Sequence, residues 1–281
     1  MSRLLLSRCP LCRGAVAVRW SQVCVWRCRD CGLMFRNPLP GGGTLERLYT
    51  ASWSAPVAAR FETGGTTDRL ARLYAARLAH ALGAKRLDGL RILEFGAGRG
   101  EFLAALHANG ADVCAIEPYG CDLLLRRGFE AYRSLGDLPG GQPFDGVITV
   151  DVVEHLARPW EDLAALRGLL KPEGFLYVST LNAGGLNALL SRSRWREIRK
   201  EGHLLFFTVE TLQRVLVSAG FDVPQRLRWR IPYHSSVLRR ILDFALQALS
   251  LDGELRLLAR APRTGAMVRS RRSTMQADSR A

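Results

Sequence analysis

Lysine is almost missing from this 281-residue chain. Lys85, Lys171 and Lys200 are the only three, so 40 − 3 = 37 of the basic residues are arginine. The formal charge of +14 invites a nucleic-acid partner. However, an excess of arginine over lysine, with abundant Ala, Leu and Gly, is also what a GC-rich genome produces, and the charge is spread along the chain. It concentrates only near Arg192–Lys200, Arg226–Arg230 and the C-terminal tail. Also lacking is any apolar run approaching the roughly 20 residues of a membrane helix. The opening Leu4-Leu5-Leu6 is too short for a secretory core and runs straight into Cys9. These absences predict a soluble, cytoplasmic protein whose only membrane association is peripheral. With 48% hydrophobic residues, global disorder is excluded. The length suits one full α/β domain and a small accessory module.

Five of the seven cysteines fall within residues 1–38. Cys9-Pro-Leu-Cys12-Arg-Gly and Cys28-Arg-Asp-Cys31-Gly are two C-x-x-C knuckles, each followed by a glycine that relieves a tight turn. Two such pairs make a closed tetrahedral set of four thiolates, the pattern of a structural zinc ribbon with no open position for chemistry. Without a secretion signal, disulfides fit poorly. Cys24 is a competing ligand with less suitable spacing, and Cys114 and Cys121 read as small buried hydrophobes. The breaker cluster Asn37-Pro-Leu-Pro-Gly-Gly-Gly43 marks a boundary. Residues 39–88 then read as a linker and helical cap. Leu45, Leu48, Tyr49 and Trp53 suggest a short helix, and an amphipathic helix runs from Asp68 to Gly83.

The stretch that organises the rest is Arg91-Ile-Leu-Glu-Phe-Gly-Ala-Gly-Arg-Gly-Glu-Phe102. An apolar strand enters a glycine turn, and a helix pattern leaves it. In that geometry the backbone approaches a ligand closely and a helix N-terminus faces it. The spacing, Glu94-x-Gly96-x-Gly98-x-Gly100, differs from the G-x-G-x-x-G of dinucleotide sites. A second strand ends at Glu117, about 20 residues on, where a carboxylate can accept hydrogen bonds from both ribose hydroxyls of a nucleoside. A third strand is predicted over Glu130–Leu135, a fourth over Asp145–Val150 and a fifth over Phe175–Thr180. Helices are expected over 122–128 and Glu161–Leu170, with Lys171-Pro-Glu-Gly174 as a turn. Ser235–Leu249 reads as a further helix and Glu254–Ala259 as an antiparallel closing strand. The alternation predicts an α/β fold with a doubly wound, mostly parallel sheet, whose ligands lie at the carboxyl ends of strands one, two and four. Residues 263–281 read as a disordered basic tail.

Four ordered features, Glu94–Gly100, Glu117, Phe144-Asp145…Asp151-Val-Val-Glu-His155-Leu and Leu170-Lys-Pro-Glu-Gly174, resemble the class I S-adenosylmethionine (SAM) dependent methyltransferases. The segment Gly202-His203-Leu-Leu-Phe-Phe-Thr208…Ala219-Gly-Phe221 adds a fifth. The resemblance covers about residues 89–262 and is strongest to the branch with ubiquinone-pathway O-methyltransferases and sugar and natural-product methyltransferases. It implies a seven-stranded Rossmann-like sheet. It also implies a cofactor-binding set of Glu94, Gly96, Ala97, Gly98, Glu117, Ser134, Leu135 and Asp151. In that set Gly96 and Gly98 pass the methionine part, Glu117 holds the ribose, Ser134 and Leu135 flank the adenine, and Asp151 borders the methionine end. Ala97 departs from the Cys common at its position. Some sugar C-methyltransferases carry an N-terminal zinc module of similar spacing. A ribosomal-RNA guanine methyltransferase family does too, but with a His where this chain has Cys31.

Such an enzyme must align an in-line displacement and exclude water, and for a hydroxyl acceptor it benefits from a base. His155, after strand four, is the first candidate because imidazole titrates near neutrality. His203 is the second, and Asn182 is a candidate substrate contact. A metal-assisted variant would draw on Asp151, Glu154 and His155. The insertion Ala183–Lys200 is placed to cover an acceptor, either gripping an anionic one or touching a membrane surface, or it is simply a solvated helix. The expected acceptor is a small molecule, sugar or nucleotide-linked sugar, methylated on oxygen in the first instance. An RNA acceptor gripped by the zinc ribbon and arginine-rich surface is the alternative, and a non-catalytic SAM-binding or zinc module is a third.

Overall fold

The computed structural model describes residues 4–52, 66–229 and 237–263. Trp53 and the basic tail beyond residue 263 lie outside the described residues, so the reading of that tail is not addressed. Three strands open the chain: β1 (Val16–Trp20), β2 (Val25–Cys28) and β3 (Met34–Arg36). Helices α1 (Gly42–Ser52) and α2 (Thr66–Ala81) follow. Then come β4 (Arg91–Phe95), α3 (Glu101–Ala108), β5 (Asp112–Ile116), α4 (Cys121–Arg126), β6 (Glu130–Tyr132) and β7 (Phe144–Val150). The chain continues through α5 (Pro159–Gly168), β8 (Leu170–Leu181), α6 (Leu186–Ser191), β9 (Leu205–Phe206) and α7 (Val209–Ser218). It closes with β10 (Gln225–Arg226), α8 (Val237–Ala248) and β11 (Glu254–Arg260).

The main sheet has seven strands in the order β10-β11-β8-β7-β4-β5-β6. Pairs β4–β5, β4–β7, β5–β6 and β7–β8 are parallel, and β11 is antiparallel to β8. A parallel sheet must be covered on both faces, and adjacent residues of each strand serve opposite faces. Ile92 packs with Ala75, Leu78, Leu103 and Leu106 of α2 and α3, whereas Leu93 packs with Leu163, Leu166, Leu212 and Val215 of α5 and α7. Local signals fix the helices: Pro159 sits at the start of α5, and Thr208 caps α7 by accepting from the Thr211 N–H.

The third strand is shorter than expected. It stops at Tyr132, and Leu135–Asp137 forms a 3-10 turn. The expected turn at Lys171–Gly174 is instead the first part of the 12-residue β8, where Glu173 takes φ +61° and the register against β7 shifts. Gly146 of β7 lies opposite Phe175 of β8, and a Cβ there would land inside the Phe175 ring. Gly146→Ala is therefore expected to cost about 2 kcal/mol through overpacking. A thermal melt should fall by roughly 5 °C; an unchanged midpoint would mean the ring swings aside freely.

The cysteine module is not a free-standing bead. Its sheet runs β1-β2-β3-β9, and β9 comes from the segment that follows the insertion. The insertion is not a solvated helix either. It folds as the six-residue α6 and two 3-10 turns, and Trp195 and Ile198 are buried with Val25, Met34 and Phe206 against the cysteine module. Among the described residues, no helix is long and apolar enough to cross a membrane.

Candidate active site

The carboxyl end of β4 turns through three glycines with positive φ: Gly96 at 78°, Gly98 at 56° and Gly100 at 79°. At Gly96 a Cβ would also strike Val152, so the close approach of two loops requires glycine there. At Gly98 a Cβ would meet nothing within 4 Å. That backbone faces open space and has room for a ligand. Glu117, at the end of β5, is 5% exposed and ties the loops together. Its Oε2 accepts from the Gly98 N–H at 2.8 Å, and its Oε1 accepts from the Tyr119 and Gly120 N–H groups at 2.9 and 3.2 Å. Oε2 keeps a lone pair for a ligand hydroxyl.

A cavity of about 720 Å³ opens at this end of the sheet. Of the cofactor set expected from sequence, Glu94, Gly96, Ala97, Gly98 and Asp151 line it. Glu117 stands one hydrogen bond behind the loop. Ser134 and Leu135 do not line the cavity; Ser134 is exposed and donates to Asp137 Oδ2 at 2.8 Å. Glu94 is 3% exposed, its Oε2 has no partner, and burial pushes its carboxyl well above the ordinary range. Asp151 holds φ +54°, a left-handed conformation uncommon for a non-glycine residue and often found where a site constrains the backbone. Its side chain is open to cavity water yet enclosed by surrounding protein. That enclosure, then the neighbouring Glu254, pushes its carboxyl up to about 6.

The opposite wall was not legible in advance. Tyr74 of α2 donates to Glu254 Oε2 at 3.2 Å, and Ser179 and Arg256 also bond Glu254. Glu254 and Arg256 alternate on β11, and that period-two spacing was the one signal that both face the same side. Asn182, expected to contact substrate, is instead buried. It donates to the Ser250 and Asp252 carbonyls at 3.0 and 2.8 Å, pinning the turn that presents Asp252 and Glu254.

The two histidines come together, but not on this cavity. His155 and His203 stack edge-on with ring centroids 4.7 Å apart. His155 Nδ1 lies 2.9 Å from both the Gly202 carbonyl and the Tyr49 hydroxyl. Burial lowers the pKa of His155, and burial followed by its partner lowers His203 to about 3. Glu154 bonds Thr180 Oγ1 at 2.7 Å, and burial, then Asp151, raises its carboxyl to about 8. One ligand atom each from Glu154, His155 and His203 lies within 4.8 Å of the others. Asp151, expected in a metal set with Glu154 and His155, is not among them.

A family model described as a methyltransferase domain matches residues 67–225, more than half of the chain. The glycine loop, Glu117 and the parallel strands β4 to β8 fall inside that match. The chain belongs to the class I SAM-dependent methyltransferases. It is 33% identical over 157 residues to the ubiquinone biosynthesis O-methyltransferase of Xanthomonas campestris pv. campestris (strain B100), covering 52% of this chain and 66% of that one. Against the enzyme of the same name from Dinoroseobacter shibae it is 30% identical over 172 residues, covering 55% and 69%. Among solved structures, phosphoethanolamine N-methyltransferase 2 of Haemonchus contortus superposes with a TM-score of 0.56 at 15% identity, over 82% of this chain and 63% of that one. The 1,6-didemethyltoxoflavin-N1-methyltransferase of Burkholderia thailandensis gives 0.52 at 19%, over 83% and 97%. At these identities the structures show the shared fold. The methyltransferase's glycine cradle, the orphaned Glu94 oxygen and Glu117 all fit SAM.

The four cysteines also fit a metal. Cys9 and Cys31 Sγ lie 3.6 Å apart, Cys12 and Cys28 Sγ lie 3.4 Å apart, and all four lie within 4.8 Å. Tetrahedral Zn–S bonds of about 2.3 Å place sulfurs at comparable separations.

Proposed function

We propose that the enzyme transfers the methyl group of SAM to a hydroxyl of a small-molecule acceptor held in the cavity, and that the four cysteines carry a structural zinc. The cavity supports the first reading: one wall is the glycine loop and Asp151, and the other is a mixed surface from β8, α8 and β11 in which Leu181 and Leu246 stand beside Asp243, Gln247, Glu254 and Arg256. Its volume suits a small molecule held whole, whereas an RNA would enter only as one flipped-out nucleotide. The activity for which its 30–33% identical relatives are named, O-methyl transfer in ubiquinone biosynthesis, favours oxygen as the methylated atom.

When bound, SAM supplies a methyl group already activated on a sulfonium. The chain's residues do the remainder. The Gly96–Gly98 backbone passes the donor closely, Glu117 accepts from ribose hydroxyls, and the cavity walls hold the acceptor in line. Asp151 is the group that takes the acceptor's proton. It lines the cavity, and its carboxyl near 6 is ionised at neutral pH yet more basic than an ordinary aspartate. Burial and then Glu254 set that value, with Glu197 adding to the rise and Lys200 and Arg256 opposing it. His155, tied to Gly202 and Tyr49 and off the cavity, is left with positioning its loop.

The sign of the pH effect follows. As pH falls through about 6, Asp151 gains a proton and kcat/KM should drop about tenfold per unit, while the affinity for S-adenosylhomocysteine stays level. Asp151→Asn should remove that limb and His155→Ala should keep it. A falling S-adenosylhomocysteine affinity with unaltered kcat would instead make Asp151 a partner of the donor. Labelled methyl from SAM should enter the small-molecule fraction of a cell extract, and label in RNA would favour the other acceptor class.

A further inference from the structure

The charge on the cavity wall goes beyond what methyl transfer requires. Six carboxyl groups line it, those of Glu94, Glu101, Asp151, Asp243, Asp252 and Glu254, against the guanidiniums of Arg99 and Arg256. Arg256 is buried and bonded to Glu254. Arg226, from behind the wall, pairs with Asp252. Burial pushes the Glu94 carboxyl up, and even with Glu94 left out of the count five carboxylates meet three guanidiniums among the described residues, an excess of two negative charges. The donor carries a sulfonium, an ammonium and a carboxylate, so it balances one. A charge left over in a half-enclosed cleft attracts ligands of the opposite sign and repels those of its own.

Asp243 is one of three cavity carboxylates, with Glu101 and Asp151, that no cation pairs among the described residues, and it is the one on the wall facing the glycine loop. It projects from α8 into the cavity, is half-buried, and has no ion-pair or hydrogen-bond partner among the described residues. The helix is fixed at its far end: Gln247 Nε2 donates to the Trp229 carbonyl at 2.8 Å, and Arg228 Nε donates to the Gln247 carbonyl at 3.1 Å. Asp243 is thereby presented at a set place across from the glycine loop. The unpartnered Oε2 of Glu94, itself almost wholly buried, lines the same cavity and marks it as built around a ligand, the donor included. The surroundings are wrong for a phosphate, because both cavity guanidiniums would have to outweigh the carboxylates beside them.

Resting on the methyltransferase reading above, we propose that the acceptor is a small hydroxylated molecule bearing a protonated amine, and that Asp243 holds the ammonium while a hydroxyl is methylated. Nucleotide-linked sugars and other phosphorylated acceptors are thereby disfavoured. The reaction balances simply: the methyl group passes from sulfur to the acceptor oxygen, the hydroxyl proton goes to Asp151, and the ammonium is unchanged.

The test uses the full chain and methyl-labelled SAM on a small-molecule extract. Unreacted SAM is removed on charcoal, and the products are separated by charge at pH 7. Label retained on the cation exchanger is expected. Label in the neutral or anion-exchange fraction would overturn the amine while leaving methyl transfer intact, and no label in any fraction would overturn both. With the cationic acceptor in hand, Asp243→Asn should raise KM about tenfold, the scale of losing one partner of a half-buried charge pair. S-adenosylhomocysteine affinity, measured by calorimetry, should stay within about twofold. An unchanged KM would remove Asp243 from the proposal.

Discussion

Glu117→Ala should weaken S-adenosylhomocysteine binding by at least about 100-fold, the largest loss expected from any single change at the donor site. The reason lies in where the carboxylate is spent. It accepts three backbone N–H groups from two loops, Gly98 on one side and Tyr119 and Gly120 on the other. Hydrogen bonds to a charged group contribute about 1.5–3 kcal/mol each. Alanine leaves three donors unsatisfied in a buried position and removes the acceptor for the ribose. The strand itself should survive, because Val113, Cys114, Ala115 and Ile116 pack into the two cores without help from Glu117. Glu117→Gln keeps one acceptor oxygen but turns an amide toward an N–H, and should fall between, at roughly a tenfold loss. Calorimetric titration, with a melting curve as control for folding, decides the matter. An affinity within threefold of wild type would show that the loop holds its shape unaided.

The donor half of the site was readable because its determinants are local. A strand, three alternate glycines and an acid one strand later occupy fewer than 30 consecutive residues. The parallel strands announce themselves as apolar runs, as buried Ile92-Leu93 and Leu176–Val178 show. The acceptor wall is different. Tyr74, Asp151 and the neighbouring pair Asp243 and Glu254 are separated by scores of residues, and they share a cavity only because β11 returns beside β8 and α8 folds over its end. No spacing encodes that. The histidines were read by residue type, and the fold does bring His155 and His203 together. Type alone did not reveal that Asp151 lines the cavity and neither histidine does. Likewise, β9 is only two residues long, too short for any periodicity, and its pairing with β3 spans about 170 residues of sequence.

That pairing makes the cysteine module a structural partner of the catalytic domain, and zinc removal should have the second large effect. Cys9 and Cys28 are buried in a core continuous with Leu33, Phe35, Leu204, Leu205 and Phe207. Arg36, at the end of β3, bridges the two parts. Its guanidinium donates to the carbonyls of Ile198, Lys200 and His203 at 3.0 to 3.2 Å, and to that of Val23. Burial pushes the Cys9 thiol up to about 11, whereas at Cys28 burial is outweighed by the Cys31 and Asp30 N–H groups, which bring it down to about 7, so a cation is needed for all four to be thiolates together. Cys28→Ser, or chelation of the metal from the purified protein, should lower the melting midpoint by more than about 10 °C, since structural zinc contributes several kcal/mol to a fold of this size. The loss should not stop at the module. Amide exchange should rise at residues 203–207, which have lost their strand partner and the Arg36 clamp, and stay slow in β4 and β5 on the far side of the sheet. Metal analysis should find one zinc per chain before treatment. If chelation loosens residues 9–36 and leaves 203–207 protected, the module is an appendage, and the His155–His203 pair is held from the catalytic domain alone.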